Sequence, residues 1–272
     1  MRYYALITLL LMVVATSCEK ELDFRYHDVE SALVIEGALT DRGADILLTL
    51  TTPMGEPMDL TPLTDAAVTL TDLTAGETRT IDPDPAPGRY TDTIPGIPGH
   101  EYTLSIDRNG QTFTSTTAMR EPTQILSIEF QWIKMPYDYV AILKTTFTDT
   151  PAADDCYWIR IYRNADPYKW LLVDDRGAND GIISEITMTS RKDLDEEDEK
   201  DILRDGDLVT VTVTPISRQM MDYLTALQSN SNGPAMFEGP FCLGYFLASP
   251  VATDSTTSMY RAMPLSLLIT ET

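Results

Sequence analysis

Histidine, cysteine and positive charge are all scarce in this chain. Its 272 residues hold two histidines, three cysteines and 20 basic residues against 42 acidic ones, a formal net charge of −22. The histidines, His27 and His100, stand far apart, and neither lies in the second half. This leaves no HExxH zinc motif and little basis for a Ser-His-Asp or Cys-His pair. No G-x-S-x-G elbow, P-loop or G-x-G-x-x-G fingerprint occurs. A chain this acidic, without a basic cluster, repels polyanions, so nucleic-acid binding is excluded. No catalytic residue, metal ligand or cofactor is therefore assigned. A hydrolase working with two of the 42 acids stays open as an alternative, because paired carboxylates leave no sequence signature.

Long apolar runs are also missing, with one exception. Residues 5–15 are apolar, Arg2 precedes them, and Ala15-Thr16-Ser17-Cys18 follows. The run is too short to span a bilayer and reads as the core of a signal peptide. Small residues before Cys18 give a peptidase access to the backbone, and the Cys18 thiol is the atom to be lipidated. The expected product begins at Cys18 and carries acyl chains such as palmitate. Two or more chains make a stable anchor. Residues 1–17 are thus read as signal, 18–30 as a charged tether, and the rest as exported.

Cys156 and Cys242 are then the only cysteines left. In an oxidising compartment they are a candidate disulfide, which would restrict the unfolded chain by about 4 kcal/mol. The alternative is two buried thiols acting as small apolar residues.

What the chain has in quantity is β patterning. Residues 33–37, 45–51, 67–73, 78–81, 89–92, 101–107 and 112–117 read as short strands separated by turn residues. Asn109-Gly110 is the strongest hairpin signal. This spacing predicts an immunoglobulin-like or prealbumin-like β-sandwich over residues 31–120. Residues 120–123 read as a linker, and 123–272 as a second β-rich domain. Its strands are expected at 125–132, 139–147, 156–163, 170–173, 208–214 and 241–248, with a short piece at 265–269. One amphipathic helix is expected at 218–228, with Ser217 as N-cap and Met220, Met221, Leu224 and Leu227 on its apolar face.

The acidic run at 193–201 invites a calcium reading, but Asp198 stands where an EF-hand needs glycine and Arg204 where it needs glutamate. It reads as a solvated segment. Trp132, Trp158 and Trp170 are candidate stacking rings for a carbohydrate, with Trp132 and Trp158 read first as core because they lie inside alternating strands. Tyr137 and Tyr139, in Met-Pro-Tyr-Asp-Tyr, are candidate ligand contacts.

Three stretches carry a family resemblance. They are Ser17-Cys18-Glu19-Lys20-Glu21-Leu22-Asp23-Phe24 with Leu33-Val34-Ile35-Glu36-Gly37; Gly88-Arg89-Tyr90 with Pro98-Gly99-His100-Glu101-Tyr102-Thr103-Leu104; and Met221-Asp222-Tyr223-Leu224 followed by Gly239-Pro240-Phe241-Cys242-Leu243-Gly244-Tyr245-Phe246. Together they resemble the Bacteroidota lipoproteins of domain-of-unknown-function family 4249. The loop before Gly239 departs from that pattern, being shorter. The resemblance implies an outer-membrane, cell-envelope protein encoded beside TonB-dependent receptors, with such a receptor as partner. The acidic residues after Cys18 resemble the signal that sends such proteins to the cell surface, with Lys20 interrupting it. The expected function is a non-catalytic, lipid-anchored binding or accessory protein. A structural or adhesive surface protein is the alternative.

Overall fold

The computed structural model describes residues 31–52, 60–134, 139–150, 155–174, 176, 180–189, 203 and 206–258. Cys18, the tether, His27, Tyr137, the acidic run and the piece at 265–269 lie outside the described residues.

The chain is mainly β, with one helix among the described residues. The strands of the first half are β1 (Leu33–Thr40), β2 (Gly43–Leu50), β3 (Thr61–Pro62), β4 (Ala67–Asp72), β5 (Glu77–Pro83), β6 (Arg89–Thr91), β7 (Glu101–Arg108) and β8 (Gln111–Ala118). Those of the second half are β9 (Ile125–Lys134), β10 (Tyr139–Thr148), β11 (Cys156–Arg163), β12 (Asp166–Asp174), β13 (Ile182–Thr189), β14 (Leu208–Ile216), β15 (Cys242–Ala248) and β16 (Ala252–Thr257). Helix α1 (Arg218–Gln228) falls between β14 and β15.

The first sandwich is a single nine-stranded sheet that folds over its own core. Its order is β15-β1-β2-β6-β5-β4-β7-β8, with β3 on β2. Alternation along β1, β4 and β7 sends Leu33, Ile35, Leu39, Val68, Leu70, Tyr102, Leu104 and Ile106 inward. Fully buried Tyr90 turns its hydroxyl toward the Ala66 N–H, 3.3 Å away. Asn109 and Gly110 both take positive φ, 52° and 74°, as the β7–β8 hairpin requires.

β15 belongs to this sheet, pairing in parallel with β1 from Leu33↔Cys242 to Leu39↔Ala248. The strand lies beyond residue 123 in sequence, so the first sandwich is completed by a segment of the second half. Gly244 makes the pairing feasible. It sits at φ +109°, and a Cβ there would lie 1.9 Å from the Ile35 carbonyl oxygen.

The second sandwich packs a three-stranded sheet, β13-β10-β9, against a four-stranded one, β12-β11-β14-β16. Three strands against four, with crossing connections, is an immunoglobulin-class arrangement. Leu143, Phe147, Tyr157, Ile159, Ile161, Ile183, Val209, Val211 and Val213 form the core between the sheets, with Trp132 packed on it as expected. The connection from β14 to β16 leaves this sandwich, forms α1, adds β15 to the other sheet and returns. α1 begins at Ser217, whose hydroxyl accepts from the Met220 N–H at 3.1 Å, and it buries Met220, Leu224 and Ala226. Leu227, expected on the apolar face, points outward.

A second fastening joins the halves at the linker. The Arg120 N–H donates to Ala248 of β15. The Arg120 guanidinium pairs with Asp155 at 3.0 Å, and the Asp155 side chain is fully buried. Thr150 donates its hydroxyl to Asp155 and its N–H to the Tyr157 hydroxyl at 2.7 Å, and Tyr157 donates to Asp149. Burial first, then the Asp149 contact, pushes the Tyr157 phenol far up, so it remains a neutral donor.

Candidate functional site

The polar groups that depart most from ordinary satisfaction lie on the outer face of the four-stranded sheet. Tyr157, Ile159 and Ile161 of β11 face the core, so Trp158, Arg160 and Tyr162 face the other way. Register then fixes their neighbours. Trp158 lies between Leu172 of β12 and Thr214 of β14, and Arg160 lies between Trp170 and Thr212. Directly opposed side chains on adjacent strands stand about 5 Å apart at Cβ, close enough to act together.

Trp158 is where the structure differs from the sequence expectation. It sits outside the sandwich core and packs at the margin of a third apolar cluster with Cys156, Ile216, Met220, Leu224 and Leu247. Trp170 meets it edge-on at 6.1 Å and is 37% exposed, the most open of these rings. Tyr245 of β15 meets it edge-on at 6.2 Å, and Tyr223 of α1 lies 6.0 Å from Tyr245. The Arg160 guanidinium stacks over the Trp158 ring at 4.6 Å. Four aromatic rings from four elements thus gather where the two sandwiches join, with Arg160 stacked on one of them.

The hydrogen-bonding state of this face is unusual. The Trp158 indole N–H, Arg160 Nε, Thr212 Oγ1 and Thr214 Oγ1 are all buried without a hydrogen-bond partner. Thr214 is fully buried and Thr212 is 8% exposed. A buried polar group left unmatched costs about 1–3 kcal/mol, so such groups normally mark a bound water or ligand. Among the described residues Arg160 makes no ion pair, while Arg79, Arg89, Arg108, Arg120, Arg163 and Arg176 each pair with an aspartate.

Tyr245 links this face to the first sandwich. It lies beside Glu36 of β1 in register. Burial first, then the negative charge of Glu36, pushes its phenol up to about 12, with Arg160 opposing. Tyr223 is raised likewise by burial, while its hydroxyl accepts the Gly244 N–H and so closes part of the open edge of β15. The seam therefore has Glu36 on one wall and Arg160 on the other.

A cleft of about 290 Å³ lies where the start of β1, the end of β2, the β7–β8 hairpin and the segment before β15 meet. It is lined by Leu33, Leu50, Phe113, Pro240, Phe241 and Arg108 among others, with Arg108 already paired to Asp65. Of the predicted ligand contacts, Tyr139 is the first residue of β10, opposite Lys134, in the three-stranded sheet and not in the four-stranded sheet that carries the seam.

The disulfide reading is corrected. Cys156 and Cys242 are not bonded to each other. Cys156 points into the third cluster, whereas Cys242 begins β15 and packs against the first core. Burial pushes the Cys242 thiol up to about 11, so it stays protonated and unreactive at neutral pH. His100 holds Asp72 at 2.8 Å, and Asp72 also accepts the Thr74 and Ala75 N–H groups, which makes this pair a turn fastening. Among the described residues no group of three or more potential ligands is placed to hold a metal.

No protein-family model and no curated protein matches this chain. Among solved structures the chain is similar to one described as "Cytokine receptor complex - Crystal form 1A", at TM-score 0.28 and 8% identity. That match covers 85% of this chain and 98% of the other.

Proposed function

We propose that this protein is a lipid-anchored binding or accessory protein of the bacterial cell envelope, held at the outer membrane beside a TonB-dependent receptor and without catalytic activity of its own. The single observation that carries this reading is the apolar run at 5–15 followed by Ala15-Thr16-Ser17-Cys18. The resemblance to the family-4249 lipoproteins supports it, as does a β architecture whose most unusual polar groups form a surface seam. Labelling cells with an alkyne fatty acid, followed by fractionation, tests the anchor. The wild type takes up label and pellets with membranes, and Cys18→Ser loses both. An unlabelled wild-type protein, or a Cys18→Ser protein that still takes up label, overturns it. Mild extraction then tests the partner: a stoichiometric β-barrel receptor in the eluate supports the accessory role, and its absence removes the receptor from the reading.

One observation favours the adhesive alternative. β13 is an edge strand whose outer face exposes Ile182, Ile186 and Met188. Lys169 donates to the Met188 carbonyl and guards part of that edge. Assembly through this edge would appear as a mass above the monomer in light scattering, lost in Ile186→Lys.

A further inference from the structure

We infer that the seam between the sandwiches, built on Trp158, Trp170, Arg160, Thr212 and Tyr245, binds a neutral oligosaccharide. This deepens the binding reading above and rests on it, but it does not depend on the lipid anchor.

Trp170 offers an open ring, held edge-on by Trp158, which Tyr245 and the Arg160 guanidinium hold in turn. An aromatic platform whose tilt is fixed by its neighbours suits the flat C–H face of a pyranose, and sites of this kind combine aromatic walls with a few placed polar groups. Trp170 and Arg160 are direct cross-strand neighbours, so a ring resting on Trp170 has its hydroxyls within reach of the guanidinium.

Thr212 and Thr214 are more than nine-tenths buried, face this side of the sheet and have no partner for their hydroxyls. Threonine hydroxyls both donate and accept, as sugar hydroxyls do.

Charge selects the class of sugar. Arg160 lies on one wall without a carboxylate partner, and Glu36 lies beside Tyr245 on the other. Asp45, the other acid near Tyr245, is held by Arg89. A polyanion would face Glu36, and a cation would face Arg160. A neutral polyol donates to one and accepts from the other.

The experiment is a titration of intrinsic tryptophan fluorescence, confirmed by calorimetry, on the full-length protein. The detergent is lauryldimethylamine oxide, since alkyl glycosides would themselves present a sugar. The probes are maltohexaose, cellohexaose and mannohexaose, with tetragalacturonate as the anionic arm. At least one neutral hexasaccharide is expected to give a saturable change, with tetragalacturonate weaker. Trp170→Ala and Arg160→Gln are each expected to raise the Kd about tenfold or more, while melting as the wild type does. Phe241→Ala, in the cleft lined by Leu33 and Phe113, which shares no lining residue with the seam, leaves the Kd unchanged. The inference is overturned if no neutral hexasaccharide saturates below about 10 mM. Tighter binding of tetragalacturonate than of every neutral probe overturns it too, as does wild-type affinity in both seam variants.

Discussion

The two sandwiches satisfy their polar groups in different ways. In the first, buried and half-buried charge is matched locally: Arg79 with Asp92, Arg89 with Asp45, and His100 with an Asp72 that also takes two turn N–H groups. In the second, Trp158, Arg160, Thr212 and Thr214 carry buried atoms without partners on one sheet face. Among the described residues in the strands of the first sandwich none does so, while Arg120 Nε, at the linker, does. Unmatched buried groups are disfavoured in a scaffold and tolerated where something else completes them. The first sandwich is built as a support, and the second presents the surface that departs from local rules.

Changes that part the two regions should have the largest effects. Gly244→Ala places a methyl against the Ile35 carbonyl at a positive φ, and the β1–β15 pairing cannot absorb it. A loss of at least about 3 kcal/mol in urea unfolding is expected, with little folded protein recovered. Stability within about 0.5 kcal/mol of wild type would mean that β15 is not integral to the first sandwich.

Asp155→Ala comes next. It leaves Arg120 without its buried counter-charge at the linker, and removing one partner of a buried pair costs about 3–5 kcal/mol. A two-step urea transition in this variant, against one step in the wild type, would show that the linker network couples the sandwiches.

The Asp72 fastening sharpens the comparison through pH. Burial alone would raise this carboxyl, but the hydrogen bonds from His100 and the Ala75 N–H outweigh it and leave it below its ordinary value of 3.8. The stabilisation is therefore complete above pH 3.8 and is lost as pH falls below that value. Asp72→Asn should flatten the acid limb of stability against pH by about 1 kcal/mol and change little at pH 7 beyond the loss of one turn fastening. An unchanged acid limb would contradict the assignment.

The smallest effect concerns the thiols. After unfolding without reductant, Cys156 and Cys242 should both alkylate. In the native protein at pH 8 Cys242 should react slowly, because burial holds its thiol at about 11. A mass two daltons low, with no alkylation, would restore the disulfide.

Most strands were legible in the sequence because their alternation is carried by Val, Ile, Leu and Tyr on one face. The helix was legible to its cap, since Ser217 and the Met220–Leu224 spacing are local signals. Three strands were not: the two-residue β3, β16 and β13. β16, Ala-Thr-Asp-Ser-Thr-Thr, is an edge strand with no apolar face, held by backbone pairing to β14 and by the contact of Thr210 with Ser255. β13 carries Ile182, Ile186 and Met188 on its exposed face and buries Ile183, so its pattern points the wrong way. The placement of β15 beside β1 depends on contacts some two hundred residues apart in sequence, which no local periodicity encodes. The same holds for the seam. Trp158 reads as core from its own strand, and only the approach of Tyr245 and the stacking of Arg160 show which face it occupies. The unmatched Thr212 and Thr214 hydroxyls could not be seen from an alternating Val-Thr strand.

The division of labour between a support and a binding surface is tested most directly by amide hydrogen exchange on the full-length protein, with and without a saturating neutral hexasaccharide. Added protection is expected in β11, β12 and β14 and at β15 near Tyr245, with β4, β5 and β7 of the first sandwich unchanged. Protection confined to the first sandwich, or to the cleft around Phe241, would contradict it.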